Sequence, residues 1–171
     1  MKKVILICAL FLSVSTYAQK LVQNECAGQL TSAADKMMQL ADAIPENAYN
    51  WTPQEGVRDV AGVLKHVISA NYFFATKLGA TLPDDVDMGS LEQGLKTKAE
   101  IKAALEQSTE VIVKAIKNVS DADLGKKVEF PFPGEYTTTS AILIALTHCN
   151  EHLGQLISYA RSNKITPPWS N

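Results

Sequence analysis

The sequence predicts an all-α fold, a four-helix bundle with a short extended strap before the last helix. Three observations support this prediction. Four segments carry apolar residues at helical spacing, two of these segments begin with a capping-box pattern, and no series of alternating strands is present. The length of 171 residues fits one domain, which we place at residues 19–171 behind a leader at residues 1–18.

The first two helices are separated by a proline. The first runs from about Leu21 to Ile44 and is stopped by Pro45. The second is expected to begin at Thr52-Pro53-Gln54-Glu55, which has the form of a capping box with proline at the first helical position. It continues to Gly79, where a glycine suits the helix end. These segments provide the first half of the bundle.

The third and fourth helices supply the second half. The third begins at Thr97-Lys98-Ala99-Glu100, another capping-box pattern, and its apolar residues recur at helical spacing as far as Val119. The fourth begins near Thr139 or Ser140 and fades at Ser162-Asn163. Four amphipathic helices in a chain of this length indicate a bundle of the antiparallel type.

Two connections are long enough to cross the bundle. Residues 127–136, between the third and fourth helices, contain two prolines and a glycine, so they can form only an extended strap or a short edge hairpin. Residues 80–96 form the other long connection. Either one could carry a crossover, and the sequence leaves the order of connections open.

Residues 1–18 have the pattern of a secretory signal peptide. Two lysines precede an apolar run from Val4 to Val14, and Thr16-Tyr17-Ala18 has the small-x-small form of a cleavage site. The run is shorter than the roughly 20 residues that cross a bilayer, and Cys8 follows an isoleucine, which suits lipoprotein processing poorly. We therefore expect an exported protein, periplasmic or secreted, with no stable membrane anchor after cleavage.

The charge balance argues against one class of partner. There are 16 Lys and Arg residues against 18 Asp and Glu, a net charge of −2, whereas sequence-independent nucleic-acid binding needs a concentrated basic face. We expect no nucleic-acid partner. A hydrophobic content of 46% excludes a disordered chain. Beyond the leader only Cys26 and Cys149 remain, and either a disulfide between them or two free buried thiols is compatible with the sequence.

The three histidines of the chain are candidate metal ligands. His148 and His152 are four residues apart, so they lie one turn apart on one face of the fourth helix. His66 belongs to the second helix. Each of the three lies at the border of the apolar face of its helix, where a side chain reaches into the groove between two helices. If the second and fourth helices are neighbours, the three imidazoles converge.

Three imidazoles with a coordination position left open are what a catalytic or substrate-binding metal site requires, and they suit zinc, nickel, copper or iron. Spacing alone also allows two other roles, packing between helices or exposure to solvent. The sequence assigns no catalytic residue. Glu151 lies about 60° round the helix from His148, on its outward side, and is a weak candidate for a general base.

Three separated segments carry a family resemblance. They are Asn50-Trp51-Thr52-Pro53 with Leu64-Lys65-His66-Val67, the stretch from Thr147 to Arg161 that contains His148 and His152, and the tail Asn163-Lys164-Ile165-Thr166-Pro167-Pro168-Trp169-Ser170. Together they resemble the DinB-like family of small metal-binding four-helix proteins. The resemblance implies that His66, His148 and His152 bind one divalent ion, commonly nickel or zinc.

The resemblance implies less about activity. Characterised members of the family are thiol-dependent transferases or isomerases, and an exported protein would lack the reduced thiol cosubstrate of the cytosol. We expect an exported, metal-dependent enzyme of hydrolase or transferase type that acts on a small-molecule substrate of unknown identity. The alternative is a non-catalytic protein that binds a metal or a small ligand. The sequence does not decide between a monomer and a homodimer.

Overall fold

The four predicted helices form the body of the protein. The computed structural model describes residues 20–170 and contains, in chain order, α1 (Leu21–Ala43), α2 (Val60–Lys77), the short α3 (Leu91–Gly94), α4 (Lys98–Asn118), the strands β1 (Lys127–Val128) and β2 (Tyr136–Thr137), and α5 (Thr138–Ser162). Short 3₁₀ turns follow α1 and α4. The prediction of an all-α bundle is confirmed. The leader at residues 1–18, with Cys8, lies outside the described residues.

The long helices pack in the cyclic order α1, α4, α2, α5, so that α2 and α5 are neighbours. The chain direction of each pair follows from contacts at the helix ends. Lys98, at the start of α4, donates from Nζ to the carbonyl of Ile44 after α1 at 2.7 Å. Tyr159, near the end of α5, donates to the carbonyl of Arg58 before α2 at 3.0 Å. The α1/α4 and α2/α5 pairs are therefore antiparallel.

The connection between α2 and α4 is the crossover. Residues 78–83, just after α2, share a cavity with the last turns of α4. Glu92 of α3, shortly before α4, lies near His66 in the first half of α2. The two helices consequently run parallel, and the chain returns along the bundle through residues 78–97 before α4 begins. The bundle thus contains parallel as well as antiparallel neighbours.

The capping box predicted at the start of α4 forms. Thr97 Oγ1 accepts from the backbone N–H of Glu100 at 3.2 Å, and Glu100 Oε2 accepts from the backbone N–H of Thr97 at 2.9 Å. A similar reciprocal pair, Thr137 with Ser140, begins α5. Each pair satisfies backbone donors that the first helical turn leaves free.

The expected start of the second helix at Thr52 is wrong. The Thr52 hydroxyl is within 2.9 Å of the carbonyls of Gln54 and Val57, inside a run of turns. The helix begins at Val60 and is capped by Asp59, whose carboxylate accepts from the backbone at 2.6 Å. Local side-chain to backbone bonds compete with helix formation for Thr and Asp, and here the N-cap lies seven residues further along the chain, at Asp59 instead of Thr52. The expected end is correct, because Gly79 has a φ of +85° just after α2.

The strap before α5 is the short hairpin that the prolines allow. β1 and β2 pair antiparallel, with Lys127 opposite Thr137 and Val128 opposite Tyr136. Phe130, between the strands, packs against the bundle at ring-centroid distances of 6.0 Å from Phe73 and 6.2 Å from Phe74. Aromatic contacts therefore attach the hairpin to α2.

One continuous core lies between the four long helices. Cys26 and Cys149 are both buried and free, so they form no disulfide with each other. Within residues 20–170, no helix has both the length and the apolar character needed to span a membrane. The largest fully buried side chains are Leu30, Met37, Leu40, Ile44, Leu64, Ile68, Tyr72, Ile101, Leu105, Ile112, Ile116 and Ile142.

Candidate metal centre

The three histidines meet in the groove between α2 and α5. His66 comes from α2, and His148 and His152 come from consecutive turns of α5. Their ring centroids are 4.5 to 5.0 Å apart, and one ring nitrogen from each lies within 4.8 Å of the others. All three side chains are half-buried. The convergence follows from the border positions of these residues and from the packing of α2 against α5.

The spacing of the nitrogens fits a single metal ion. Nε2 of His66 and Nε2 of His148 are 3.1 Å apart. Two imidazole nitrogens that each lie about 2.0–2.1 Å from one ion are about 2.9–3.4 Å apart for bond angles of roughly 90–110°. Without an ion the same two nitrogens can share one proton in a hydrogen bond. A set of three imidazoles fits zinc, nickel, copper or iron better than magnesium or calcium.

A chain of hydrogen bonds extends from His152 away from the other imidazoles. His152 Nδ1 lies 2.9 Å from Gln155 Oε1, Gln155 Nε2 donates to the Tyr159 hydroxyl at 2.8 Å, and that hydroxyl donates to the Arg58 carbonyl at 3.0 Å. The Tyr159 ring is buried and meets Trp51 edge to face at 5.2 Å. The side of His152 that faces away from the groove is thus held by rigid partners.

The other two imidazoles have different surroundings. Glu92 Oε1 lies 4.0 Å from Nδ1 of His66, too far for a hydrogen bond but close enough for electrostatic attraction. The Phe74 ring lies edge-on to His148, with centroids 5.8 Å apart. One side of the site therefore borders a carboxylate and another borders aromatic side chains.

Burial and neighbouring positive charge lower the pKa of two imidazoles. For His148, burial is the largest cause, His152, His66 and Arg58 add to it, and the pKa falls to about 4. For His66, burial lowers the pKa and Arg58 and His152 add to this effect, while Glu92 opposes it. Both imidazoles are therefore neutral at pH 7, the state in which a ring nitrogen can bind a metal.

These pKa values predict that the metal-free protein loses stability in mild acid. Because the folded-state pKa values of His66 and His148 lie below the unfolded value of about 6.5, the unfolded state binds more protons as the pH falls below 6.5. After a discount for partial exposure, we expect the free energy of unfolding to be about 1–2 kcal/mol lower at pH 5 than at pH 7.5. Urea denaturation after chelator treatment measures this difference.

The matched variant for this measurement is His148→Gln, which keeps a polar side chain but does not titrate. Its free energy of unfolding should change less between pH 7.5 and pH 5 than that of the wild type. Arg58, Glu92 and His152 face the same groove and remain in both proteins. Equal changes in the two proteins would show that His148 does not cause the loss.

Glu151 makes no hydrogen bond to the three imidazoles within residues 20–170. Its side chain is exposed on α5, and within residues 20–170 it takes part in no hydrogen bond or ion pair. A cavity of about 560 Å³ lies elsewhere, in the groove between α1 and α4, and none of the three histidines lines it. The α1/α4 groove is on the opposite side of the bundle from the α2/α5 groove.

Sequence comparison identifies the family. Residues 29–156 match the model of the DinB superfamily. The chain belongs to the DinB superfamily. The match includes His66, His148 and His152, so the three candidate ligands of this DinB-superfamily chain lie inside the shared region. The comparison with curated proteins gives no match.

Three solved structures are similar to this DinB-superfamily chain. A DinB-like protein from Bacillus subtilis is 20% identical with a TM-score of 0.65, and the match covers 83% of this chain and 93% of that one. A DinB-like protein from Bacillus cereus is 17% identical with a TM-score of 0.68, covering 84% and 96%. A conserved protein from Enterococcus faecalis is 12% identical with a TM-score of 0.62, covering 81% and 94%. At these identities the likeness establishes the fold.

The structure adds neighbours of the histidines that sequence reasoning missed. Gln155 and Tyr159 follow His152 by three and seven residues, a spacing that places all three on one face of a helix and could have identified them. Glu92 carried no such signal, because it lies on a four-residue helix inside a connection. The Arg58 carbonyl is a backbone group from another part of the chain, so its role depends on tertiary packing.

Proposed function

We propose that this DinB-superfamily protein binds one divalent transition-metal ion through His66, His148 and His152. We further propose that it is a metal-dependent enzyme of hydrolase or transferase type. The observation that carries the proposal is the convergence of three half-buried imidazoles, of which one ring nitrogen each lies within 4.8 Å of the others. The sequence contains no fourth histidine that could close the site. Nickel and zinc are the ions we favour, in keeping with the imidazole donors.

The residues around the proposed metal site have different roles. A bound ion would supply Lewis acidity and a hydroxide near neutral pH. His66 and His148 contribute neutral nitrogens, because burial disfavours their protonation. Glu92 Oε1, 4.0 Å from His66 Nδ1, can attract that imidazole electrostatically or accept a proton from a reacting group. Phe74 excludes water from one side of His148. Glu151, exposed on α5, is a candidate for a general base.

We also propose that the protein is exported and acts as a single domain of residues 19–171. The support is the signal-peptide pattern of residues 1–18. N-terminal sequencing of the mature protein, after expression of the full chain, tests this. A mature protein that begins at Gln19 agrees with cleavage after Ala18. An intact leader on the accumulated protein would contradict export in this form.

Metal analysis tests the ligand set. The purified mature protein, equilibrated with zinc or nickel and freed of excess metal, should retain about one ion per chain. His66→Ala and His152→Ala should retain little of it. Asn150→Ala is the matched control, because Asn150 is an exposed polar residue on the same helix as His152, and it should bind metal like the wild type. Unchanged metal content in both histidine variants would refute the triad.

A second experiment separates an enzyme from a metal-binding protein without activity. Cobalt replaces the native ion, and the visible absorption spectrum is recorded with and without azide, which occupies an exchangeable coordination position. We expect a spectral change, together with hydrolysis of a chromogenic ester that is lost in His152→Ala. A spectrum that azide does not alter, with no hydrolysis, would favour the non-catalytic alternative.

A further inference from the structure

We propose that Gln155 is a positioning residue of this site: together with Tyr159, it keeps the proton of the neutral His152 imidazole on Nδ1 and leaves Nε2 free to bind metal. The inference about metal rests on the proposed function. The inference about the proton does not, since it concerns hydrogen bonds that are present in the metal-free protein.

The Arg58 carbonyl, at the far end of this series of hydrogen bonds, fixes their direction. The Arg58 carbonyl can only accept, so the hydroxyl of Tyr159 must donate its one proton there, over 3.0 Å. The same hydroxyl oxygen can then only accept from its other neighbour. Because Gln155 lies 2.8 Å away, it must present its NH₂ group to Tyr159. A backbone carbonyl thus decides which way the Gln155 amide points.

The amide in turn decides where the proton of His152 lies. With its nitrogen directed to Tyr159, Gln155 presents Oε1 to His152 Nδ1 at 2.9 Å. An amide oxygen cannot donate, so Nδ1 must carry the proton of the neutral imidazole. The lone pair of the ring is then on Nε2. The opposite tautomer would cost one hydrogen bond. Either two acceptors, Nδ1 and Oε1, would face each other, or the amide would turn, Tyr159 would donate to it, and the Arg58 carbonyl would lose its donor.

The partners are held firmly enough to impose this choice. Tyr159 is 5% exposed and packs edge to face on Trp51. The segment that carries the Arg58 carbonyl is tied down beside it, because the Val60 N–H donates to the Trp51 carbonyl at 3.2 Å. Within residues 20–170, the His66 and His148 side chains hydrogen-bond only to each other, and Glu92 Oε1 lies 4.0 Å from His66 Nδ1. Of the three imidazoles, only His152 is therefore held by such a series of hydrogen bonds within residues 20–170.

A fixed tautomer matters because a metal binds the nitrogen that carries the lone pair. Hydrogen bonds from the other ring nitrogen orient a ligating histidine, and their loss typically weakens metal binding about 10- to 100-fold. Gln155→Leu removes the acceptor at similar side-chain size, and Gln155→Glu restores an acceptor. We expect zinc affinity, measured by chelator competition, to fall about 10- to 100-fold in Gln155→Leu and to stay near the wild-type value in Gln155→Glu.

The tautomer itself is measured by ¹⁵N NMR of the metal-free protein at pH 8. The wild type should show His152 with a protonated Nδ1 and an unprotonated Nε2, whereas Gln155→Leu should show a mixture of both tautomers. Gln54→Leu is the matched control, because Gln54 is exposed in a turn, and it should behave like the wild type. If Gln155→Leu does not fold, Tyr159→Phe tests the same series of hydrogen bonds. This variant removes the acceptor of the Gln155 NH₂ group, so the Gln155 amide can rotate and His152 should again show a mixture of both tautomers.

The outcomes separate the inference from the proposed function. A single Nδ1-protonated tautomer and wild-type zinc affinity in Gln155→Leu would overturn the positioning role, even though the wild type binds metal. A tautomer mixture in Gln155→Leu, in a protein whose wild type binds no zinc, would support the hydrogen-bond inference and refute the metal site. Loss of affinity in Gln155→Leu with recovery in Gln155→Glu supports both.

Discussion

Replacing His148 by alanine is expected to remove the stabilisation of the protein by metal. An ion that binds only the folded state stabilises it by about 2.7 kcal/mol when its free concentration is 100 times Kd. For a domain of this size that corresponds to a rise of about 5–10 °C in Tm. His148 Nε2 lies 3.1 Å from His66 Nε2, so the loss of His148 should leave two of the three proposed ligands and a Tm that zinc or nickel barely changes. Thermal unfolding with and without metal measures both values.

Thr147→Ala is the control for this variant, because Thr147 is the exposed neighbour of His148 on α5. Its Tm should rise with metal as in the wild type. The metal-free His148→Ala protein should remain folded, since His148 is a half-buried polar residue and not part of the apolar core. An equal rise of Tm in wild type and His148→Ala would show that the stabilising ion binds elsewhere.

Leu64→Ala is expected to cause a large loss of stability that does not depend on metal. Leu64 is fully buried on α2, two residues before His66. Removing a buried leucine side chain costs about 2–5 kcal/mol, because transfer free energy is lost and a cavity remains. The Tm should fall by about 5–15 °C. Urea denaturation of the metal-free protein gives the free energy directly.

Leu143→Ala provides the matched comparison, since Leu143 carries the same side chain on α5 but is 46% exposed. Its stability should change by less than about 1 kcal/mol. A similar loss in the two variants would contradict the assignment of Leu64 to the core and of Leu143 to the surface.

The sequence predicts the long helices well because their signals are local. Apolar residues at helical spacing and Pro45 give α1 to within a residue at its end, and Thr97 with Glu100 marks the start of α4. Thr52 shows where such reasoning fails, because its hydroxyl bonds within a turn instead of capping a helix. The four residues of α3 are too few to give a periodic signal.

The connection order and part of the site depend on tertiary packing. Residues 80–96 and 127–136 were both long enough to cross the bundle, and only the packing of α4 beside α2 selects the first. The border positions of His66, His148 and His152 predict the groove they share. The contact between Tyr159 and the Arg58 carbonyl joins residues 101 positions apart, and no local pattern contains it.

The wide separation of the histidines along the chain affects the order of folding. His66 and His148 are 82 residues apart, and α5 is the last helix within residues 20–170. The three imidazoles can meet only after α5 has packed against α2, so a partly folded chain offers a metal no more than the His148/His152 pair. Contacts that form after the rate-limiting step stabilise a protein by slowing its unfolding. If α5 packs against α2 after the rate-limiting step, bound metal slows unfolding and leaves the folding rate unchanged; if this packing forms earlier, bound metal also speeds folding.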